Sequence, residues 1–92
     1  FLGNTNFELA IISASAFSFD QGFSCVSQVE SDLLKFILAR AKMVYMMLDT
    51  SKIGKIMPYT FATPENIDVL ITDDNFPEDV KAAFEEKNIV VI

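Results

Sequence analysis

The residues best suited to chemistry lie in one short stretch, directly after an apolar run. Met43 to Leu48 are six apolar residues in succession, and Asp49-Thr50-Ser51-Lys52 follow without a spacer. Such a run is typical of a buried strand that leads into a loop. The loop offers one carboxylate, two hydroxyls and one ammonium to a small molecule. The alternative interpretation is that Asp49 only caps the loop and Lys52 is only solvated.

A second group of small polar residues follows an earlier apolar segment. Glu8 to Ile12 predict a first buried strand, and Ser13-Ala14-Ser15-Ala16 come directly after it. Small side chains let a ligand approach the backbone, and the Ser13 and Ser15 hydroxyls add hydrogen-bond donors. A tight turn packed beneath another element explains the same residues equally well.

The segments between these two groups predict the elements that position them. Phe17 to Cys25 alternate around an Asp-Gln-Gly turn, which predicts a loop or short ribbon exposed on one side. Ser27 and Glu30 form a capping box that opens a helix to about Lys42. The predicted apolar face of this helix contains Val29, Leu33, Phe36, Ile37 and Arg40, broadened by Leu34, Leu38 and Ala41.

The remaining segments complete an alternating pattern of strands and helices. Residues 1–4 resemble the end of a helix, 56–62 predict a crossing segment or short edge strand, and 63–66 predict one helical turn. Ile67 to Thr72 predict another buried strand, a helix follows from Pro77 to Asn88, and Ile89 to Ile92 form the last strand. We expect Met43–Leu48 to be the central, fully buried strand.

This order predicts the fold class and the place of a site. Continuous apolar strands alternating with helices indicate an α/β fold with a mostly parallel, Rossmann-like sheet. In such sheets ligands bind beyond the carboxyl ends of the strands, where both polar groups fall. Asp73-Asp74 also follow a strand. They resemble a metal pair, but capping of the Pro77 helix is the favoured interpretation.

Composition excludes several classes of function. The formal net charge is −6, and residues 62–92 carry eight acidic and two basic residues, so we expect no nucleic-acid binding by this chain. The absence of histidine and the single Cys25 exclude His-dependent triads and zinc sites and favour a reducing, cytoplasmic compartment. No membrane span is predicted. The 92 residues make at most one domain, which we expect to be part of a longer protein.

The sequence resembles the C-terminal sensor domain of DeoR-family bacterial regulators of sugar metabolism. The resemblance covers nearly all 92 residues. Its most specific element is the Leu48-Asp49-Thr50-Ser51-Lys52-Ile53-Gly54 block joined to the later strand from Ile67 to Asp73. Glu8 to Ser15, Gly22-Phe23-Ser24 and Glu30 match the family as well.

The resemblance implies a fold and a function. The fold would be a three-layer α/β sandwich like that of ribose-phosphate isomerases, glucosamine-phosphate deaminase and coenzyme A transferases. The chain would sense a phosphorylated sugar and adjust DNA binding by a separate N-terminal helix-turn-helix, expected in a homo-oligomeric repressor without a cofactor. By this resemblance, the DNA-binding domain and the first half of the sensor domain would lie outside this chain. The candidate ligand-binding residues are Ser13, Ser15, Gly22, Glu30, Asp49, Thr50, Ser51 and Lys52.

Two functions follow from these candidates. In a binding module, Lys52 pairs with the sugar phosphate, Thr50 and Ser51 assist it, and Asp49 accepts sugar hydroxyls or holds the loop. In a sugar-phosphate isomerase or deaminase of the same fold, Asp49 or Glu30 transfers a proton. The binding module is the favoured interpretation, since the chain lacks histidine, the commonest general base.

Overall fold

The computed structural model describes residues 6–92, which form two β-sheets and two helices. The predicted helix end at residues 1–4 lies outside the described residues. The helices and strands are β1 (Phe7–Ser13), β2 (Ala16–Ser18), β3 (Gly22–Cys25), α1 (Gln28–Arg40), β4 (Ala41–Met47), β5 (Tyr59–Ala62), β6 (Val69–Ile71), α2 (Glu78–Glu86) and β7 (Val90–Val91). Short 3₁₀ turns lie at Thr50–Lys52 and Pro64–Asn66, the second where one helical turn is predicted.

The larger sheet has four parallel strands in the order β1-β4-β6-β7. Each of the three parallel pairs needs a crossover connection. The connection from β1 to β4 includes α1, that from β4 to β6 includes β5, and that from β6 to β7 is made by α2. The structure therefore confirms a mixed α/β architecture with a mostly parallel sheet, compatible with a Rossmann-like fold. It also confirms that β4 is central, because β1 and β6 flank it.

The prediction that the Met43–Leu48 strand is fully buried is wrong. Val44, Met46 and Leu48 are at most 4% exposed, whereas Met43 and Met47 are 43% and 48% exposed. Side chains alternate between the two faces of a strand, and the core covers only one face of this sheet in residues 6–92. The other face is open and apolar, and its exposed side chains include Leu9, Ile11, Met43, Met47, Val90 and Ile92.

The second sheet is antiparallel, in the order β2-β3-β5, and it packs into the core. The predicted ribbon is present as the β2–β3 hairpin, but all four residues of β3 are buried, so the expected exposed side is wrong for this strand. An aromatic cluster covers the face that carries Phe23: the Phe17 ring centroid lies 4.6 Å from that of Phe23 and 5.1 Å from that of Phe84. On the other face, the Met57 amide donates to Ser24 Oγ at 2.9 Å. β5 forms an edge of this sheet, as expected for residues 56–62.

Helix α1 begins where the sequence predicts. The Glu30 amide donates to Ser27 Oγ at 3.3 Å, which confirms Ser27 as the N-cap. The helix ends at Arg40 rather than Lys42, because Ala41 already pairs with Phe7 in the parallel sheet.

The predicted apolar stripe of α1 is confirmed in part as a buried face. Leu34 is buried, and Ile37, Leu38 and Ala41 pack against the core. Val29 and Leu33 are predicted on the same face but are 80% and 55% exposed, and the buried polar residue Ser31 takes a place in the contact. Helix α1 contacts strands of both sheets, and this packing sets the rotation of the helix. The apolar stripe therefore predicts the part of the buried side that contains Leu34, Ile37 and Leu38, but not the exposure of Val29 and Leu33.

Helix α2 completes the core from the other end of the chain. Phe84 is fully buried and Val80 packs against the core, as the predicted periodicity requires. Pro77 precedes the helix as its N-cap rather than occupying its first turn. Asn88 follows the helix with a φ of 65°, the left-handed conformation that ends helices. β7 then returns to the parallel sheet beside β6.

Candidate functional site

Three strands of the parallel sheet end at the same level, and polar residues lie at or directly beyond each of these ends. Ser13 pairs with Met47, and Met47 pairs with Ile71, so β1, β4 and β6 are in register at their carboxyl ends. Asp49 follows β4 and Asp73 follows β6 at this edge. The carboxyl edge is where open α/β sheets bind ligands.

An open cleft of about 370 Å³ lies at this edge. It brings together Ser13, Asp49 and Lys52 from the predicted site. The cleft is small for a ligand pocket, whose volume is typically about 300–1,000 Å³, and it presents both a cation and carboxylates. The lining residues are Ser13, Ala14, Met47, Leu48, Asp49, Lys52, Ile71, Thr72 and Asp73.

Asp49 organises the turn that carries Lys52. Its Oδ1 atom accepts hydrogen bonds from the Ser51 amide at 3.0 Å and the Ser51 hydroxyl at 2.5 Å. The Ser51 hydroxyl bond holds the pKa of Asp49 below its ordinary value, and the nearby charge of Lys52 lowers that pKa further. Asp49 is therefore a charged cap of the 3₁₀ turn at neutral pH, in a position that also faces the cleft.

Lys52 makes a loose ion pair beside the cleft. Its Nζ atom lies 3.9 Å from Asp49 Oδ2, and its side chain is 37% exposed. An ion pair at this distance and exposure contributes little to stability. Because this ion pair is weak, the ammonium can turn toward an anion in the cleft with little loss of stability.

Thr50 connects the turn to the end of the neighbouring strand. Its hydroxyl donates to Asp73 Oδ1 at 2.5 Å, and its amide donates to Asp73 Oδ2 at 3.2 Å. Helix α2 has Pro77 at its N-cap with no side-chain cap hydrogen bond, so the predicted capping role of Asp73-Asp74 is wrong. Among residues 6–92, no group of three or more His, Cys, Asp or Glu side chains could hold a metal ion.

The Thr50 and Ser51 hydroxyls thus donate to carboxylates in this structure, rather than toward the cleft. The turn is closed internally as well, since the Lys52 amide donates to the Asp49 carbonyl at 3.1 Å. Farther along, the Gly54 amide donates to the Phe17 carbonyl at 2.8 Å and fastens the loop to β2. These hydrogen bonds hold the turn in place, and its cationic side chain, Lys52, lines the cleft.

The other predicted site residues lie away from the cleft lining. Ser15 is half-buried, and its amide donates to the Ser24 carbonyl at 3.0 Å. Gly22 lines a separate groove, and a Cβ atom there would lie 2.4 Å from the Ala62 carbonyl oxygen. Glu30 is exposed in the first turn of α1.

Sequence reasoning missed Asp73 and Thr72 as cleft residues. A signal was present, since Asp73 follows β6 in the same way that Asp49 follows β4. The local pattern of an acid before a proline favoured a helix cap instead. The bond to Thr50 spans 23 positions, and no local pattern reveals a contact of that range.

In the part of the chain that the structure describes, no helix is both long enough and apolar enough to cross a membrane.

Comparison with known proteins gives a family and two relatives. The family model described as "DeoR C terminal sensor domain" matches residues 1–74. The HTH-type transcriptional regulator GlpR of Haloferax volcanii is 27% identical over 92 residues, which is all of this chain and 36% of the relative. The HTH-type transcriptional regulator GolR of Listeria innocua serovar 6a is 28% identical over 88 residues, 96% of this chain and 35% of the relative. The chain spans about a third of the length of these curated relatives.

Proposed function

This chain belongs to the DeoR C-terminal sensor domain family, and on that premise we propose that it senses a phosphorylated sugar for a transcriptional regulator of sugar metabolism. The observation that carries the proposal is the cleft at the carboxyl edge of the parallel sheet, which Ser13, Asp49 and Lys52 line together. Both relatives are named HTH-type transcriptional regulators, which supports a regulator over an enzyme.

In the proposed complex, Lys52 pairs with the phosphate and the Asp49 carboxylate accepts a sugar hydroxyl. An ammonium is an effective point-charge partner for phosphate. Asp49 retains its Oδ2 atom for a ligand hydroxyl, because Ser51 occupies Oδ1. Ser13 lies on the wall formed by β1. Thr50 and Ser51 contribute by bracing the turn, and Ser15, Gly22 and Glu30 remain candidates that would need a wider pocket than this cleft.

The open face of the parallel sheet supports a larger sensor domain. Parallel sheets are normally covered on both faces, yet Leu9, Ile11 and Met43 are between 43% and 56% exposed. The curated relatives are about three times as long as this chain. We propose that another part of the full-length regulator covers this face. The result would be the three-layer fold similar to ribose-phosphate isomerases, glucosamine-phosphate deaminase and coenzyme A transferases, with a completed phosphate pocket.

The regulator would act as a homo-oligomeric cytoplasmic repressor. DNA binding would belong to a helix-turn-helix domain outside residues 1–92. The sugar phosphate would change operator affinity through its different affinities for the DNA-binding and released states.

The enzyme alternative has weaker support from the site. Proton transfer at neutral pH works best with a group whose pKa is near the working pH. The Ser51 hydroxyl bond lowers the pKa of Asp49 instead, so this carboxylate is a weak base. Glu30 is exposed on α1 and is not among the cleft-lining residues.

A ligand screen on the full-length regulator tests the proposal. Thermal melts are recorded with a panel of sugar phosphates and with the corresponding unphosphorylated sugars. The proposal predicts that at least one sugar phosphate raises the melting temperature and changes operator affinity, while its free sugar has a much smaller effect. Turnover of a sugar phosphate by the purified protein would favour the enzyme alternative. A panel without any effect on stability or on operator binding would contradict the proposal.

A further inference from the structure

We propose that Asp73 is the positioning residue of the phosphate site: it holds the turn that aims Lys52, and it does so without touching the phosphate. The inference rests on the proposed sugar-phosphate function and adds a residue and a mechanism to it. Asp73 sits at the end of β6, 23 positions from its partner Thr50 at the start of the turn.

The contact between Asp73 and Thr50 uses both carboxylate oxygens. Oδ1 accepts the Thr50 hydroxyl at 2.5 Å, and Oδ2 accepts the Thr50 amide at 3.2 Å. Two hydrogen bonds from one residue fix both the side chain and the backbone of Thr50. Because bonds to an ionised acceptor are shorter and stronger than neutral ones, this pair is a firm attachment for an exposed turn.

The turn needs such an attachment because little of it is buried. Thr50–Lys52 is a single 3₁₀ turn with no buried residue. On its far side, the Gly54 amide donates to the Phe17 carbonyl, and on its near side Thr50 is bound to Asp73. Lys52 lies between these two attachments. Loss of the Asp73 contact would free one end of the turn and spread the ammonium over more positions.

The charge of Asp73 and its positioning role predict opposite changes in phosphate affinity when the residue is neutralised. Asp73 and Lys52 line the same cleft, so a carboxylate there repels an incoming phosphate. If charge alone mattered, replacement of Asp73 by a neutral residue would strengthen phosphate binding. If Asp73 positions Lys52, the same replacement weakens phosphate binding in spite of the lost repulsion.

The experiment measures the affinity of the full-length regulator for inorganic phosphate, by isothermal titration at constant ionic strength and well below the melting temperature. Asp73→Asn keeps the shape of the side chain but can no longer accept both Thr50 bonds with full charge. Thr50→Val removes the hydroxyl and leaves every charge in place. We expect each variant to weaken phosphate binding about three- to tenfold, the effect of one hydrogen bond. Thr50→Ser should restore most of the affinity, because it keeps the hydroxyl.

Two further variants separate positioning from other causes. Asp74→Asn removes a neighbouring exposed charge and should leave phosphate affinity unchanged or slightly higher. The double variant Asp73→Asn with Thr50→Val should be no weaker than the weaker single variant, because both substitutions break the same contact. If Asp73→Asn fails to fold, Thr50→Val and Thr50→Ser alone decide the question.

The possible outcomes are distinct. Unchanged or tighter phosphate binding by both Asp73→Asn and Thr50→Val, in a protein whose wild type binds phosphate through Lys52, overturns the positioning role and leaves the proposed function intact. A lower melting temperature with unchanged affinity shows a purely structural contact and also overturns it. A wild-type protein that binds neither inorganic phosphate nor any sugar phosphate overturns the proposed function and this inference together.

Discussion

At the residue scale, the behaviour of the cleft depends on how its charged side chains are held. Asp49 accepts both polar hydrogens of Ser51, and Asp73 accepts both polar hydrogens of Thr50. The two carboxylates thus hold the Thr50–Lys52 turn, Asp49 through Ser51 and Asp73 through Thr50. Lys52 makes only a loose ion pair with Asp49, which leaves the ammonium available to an anion.

Ser51→Ala should raise the pKa of Asp49 toward its ordinary value near 3.8, because the Ser51 hydroxyl bond is the largest cause of the lowered pKa. A carboxyl-carbon NMR titration of the 92-residue chain measures this directly. Ser51→Thr, which retains a hydroxyl, is the control and should keep the lowered pKa.

The same pKa shift predicts a pH dependence of stability. A carboxylate whose pKa is lower in the folded state stabilises that state above its unfolded pKa, and this contribution is lost as the pH falls through the folded value. The stability difference between wild type and Ser51→Ala should therefore be present at pH 6 and should disappear below the lowered pKa of Asp49. An identical Asp49 pKa in the two proteins would contradict the role given to Ser51.

Local sequence patterns predicted the position of some cleft residues but not the contacts of others. Lys52 and Asp49 could be placed at the cleft, because an apolar run that ends in polar residues marks the carboxyl end of a strand. The partners of Thr50 and Asp73 could not be predicted, since their contact joins segments 23 positions apart. The local pattern before Pro77 favoured the wrong partner for Asp73, and only the packing of β4 beside β6 brings it to Thr50.

At the element scale, the central strand β4 has one buried and one open face. The prediction of a central position is confirmed, and the prediction of complete burial is wrong. A continuous apolar run predicts a parallel strand that is covered on both sides. In residues 6–92 only one cover is present, and Met43 and Met47 face outward. An apolar run therefore predicts that both faces of a strand are covered in the complete fold, but it does not predict which segments provide the cover.

Adjacent methionines of β4 provide a matched test of this arrangement in the 92-residue chain. Met46 is fully buried, so Met46→Asp places an unpaired charge in the core and should abolish the folded state, at a cost of several kcal/mol. Met47 is 48% exposed, so Met47→Asp should still unfold cooperatively, with a change of about 1 kcal/mol or less. Circular dichroism melts compare the two variants. Complete unfolding of Met47→Asp would show that the second face is packed in solution.

The two glycines with positive φ also form a matched pair. Gly22 and Gly54 both have φ of 81°, but a Cβ atom at Gly22 would lie 2.4 Å from the Ala62 backbone oxygen, whereas the space at Gly54 is open. Gly54→Ala should cost about 1 kcal/mol from backbone strain alone. Gly22→Ala should cost more, because the β3–β5 pairing must also shift. Equal losses of stability in urea melts would contradict a structural role for close packing at Gly22.

At the scale of the whole molecule, the charge of the chain disfavours DNA binding by these residues. The chain has a formal net charge of −6, and its last third is strongly acidic. Its curated relatives are about three times as long and are named transcriptional regulators. The family match agrees with the proposed division of labour, in which residues 1–92 would contact the effector and another domain would contact DNA.

The 92-residue chain should fail to bind duplex DNA even at low salt, where nonspecific binding is strongest. The physical reason is the excess of acidic side chains, which repel the phosphate backbone. Fluorescence anisotropy of a labelled duplex at about 20 mM salt measures this, with a basic DNA-binding protein as the positive control. Binding in the sub-micromolar range would contradict the expected separation of the two activities.

Substitution of Lys52 tests most directly whether the cleft at the end of β4 binds a sugar phosphate. In the full-length regulator, Lys52→Ala is compared with Lys55→Ala, a nearby exposed lysine that is not among the cleft-lining residues. Isothermal titration with the most stabilising sugar phosphate of the panel is combined with thermal melts of the same proteins. Loss of a charge-assisted hydrogen bond should weaken binding by Lys52→Ala about ten- to a hundredfold, with stability and operator affinity nearly unchanged and Lys55→Ala like the wild type. An unchanged dissociation constant in Lys52→Ala, with or without a lower melting temperature, would contradict the claim and leave Lys52 as a partner of Asp49 alone.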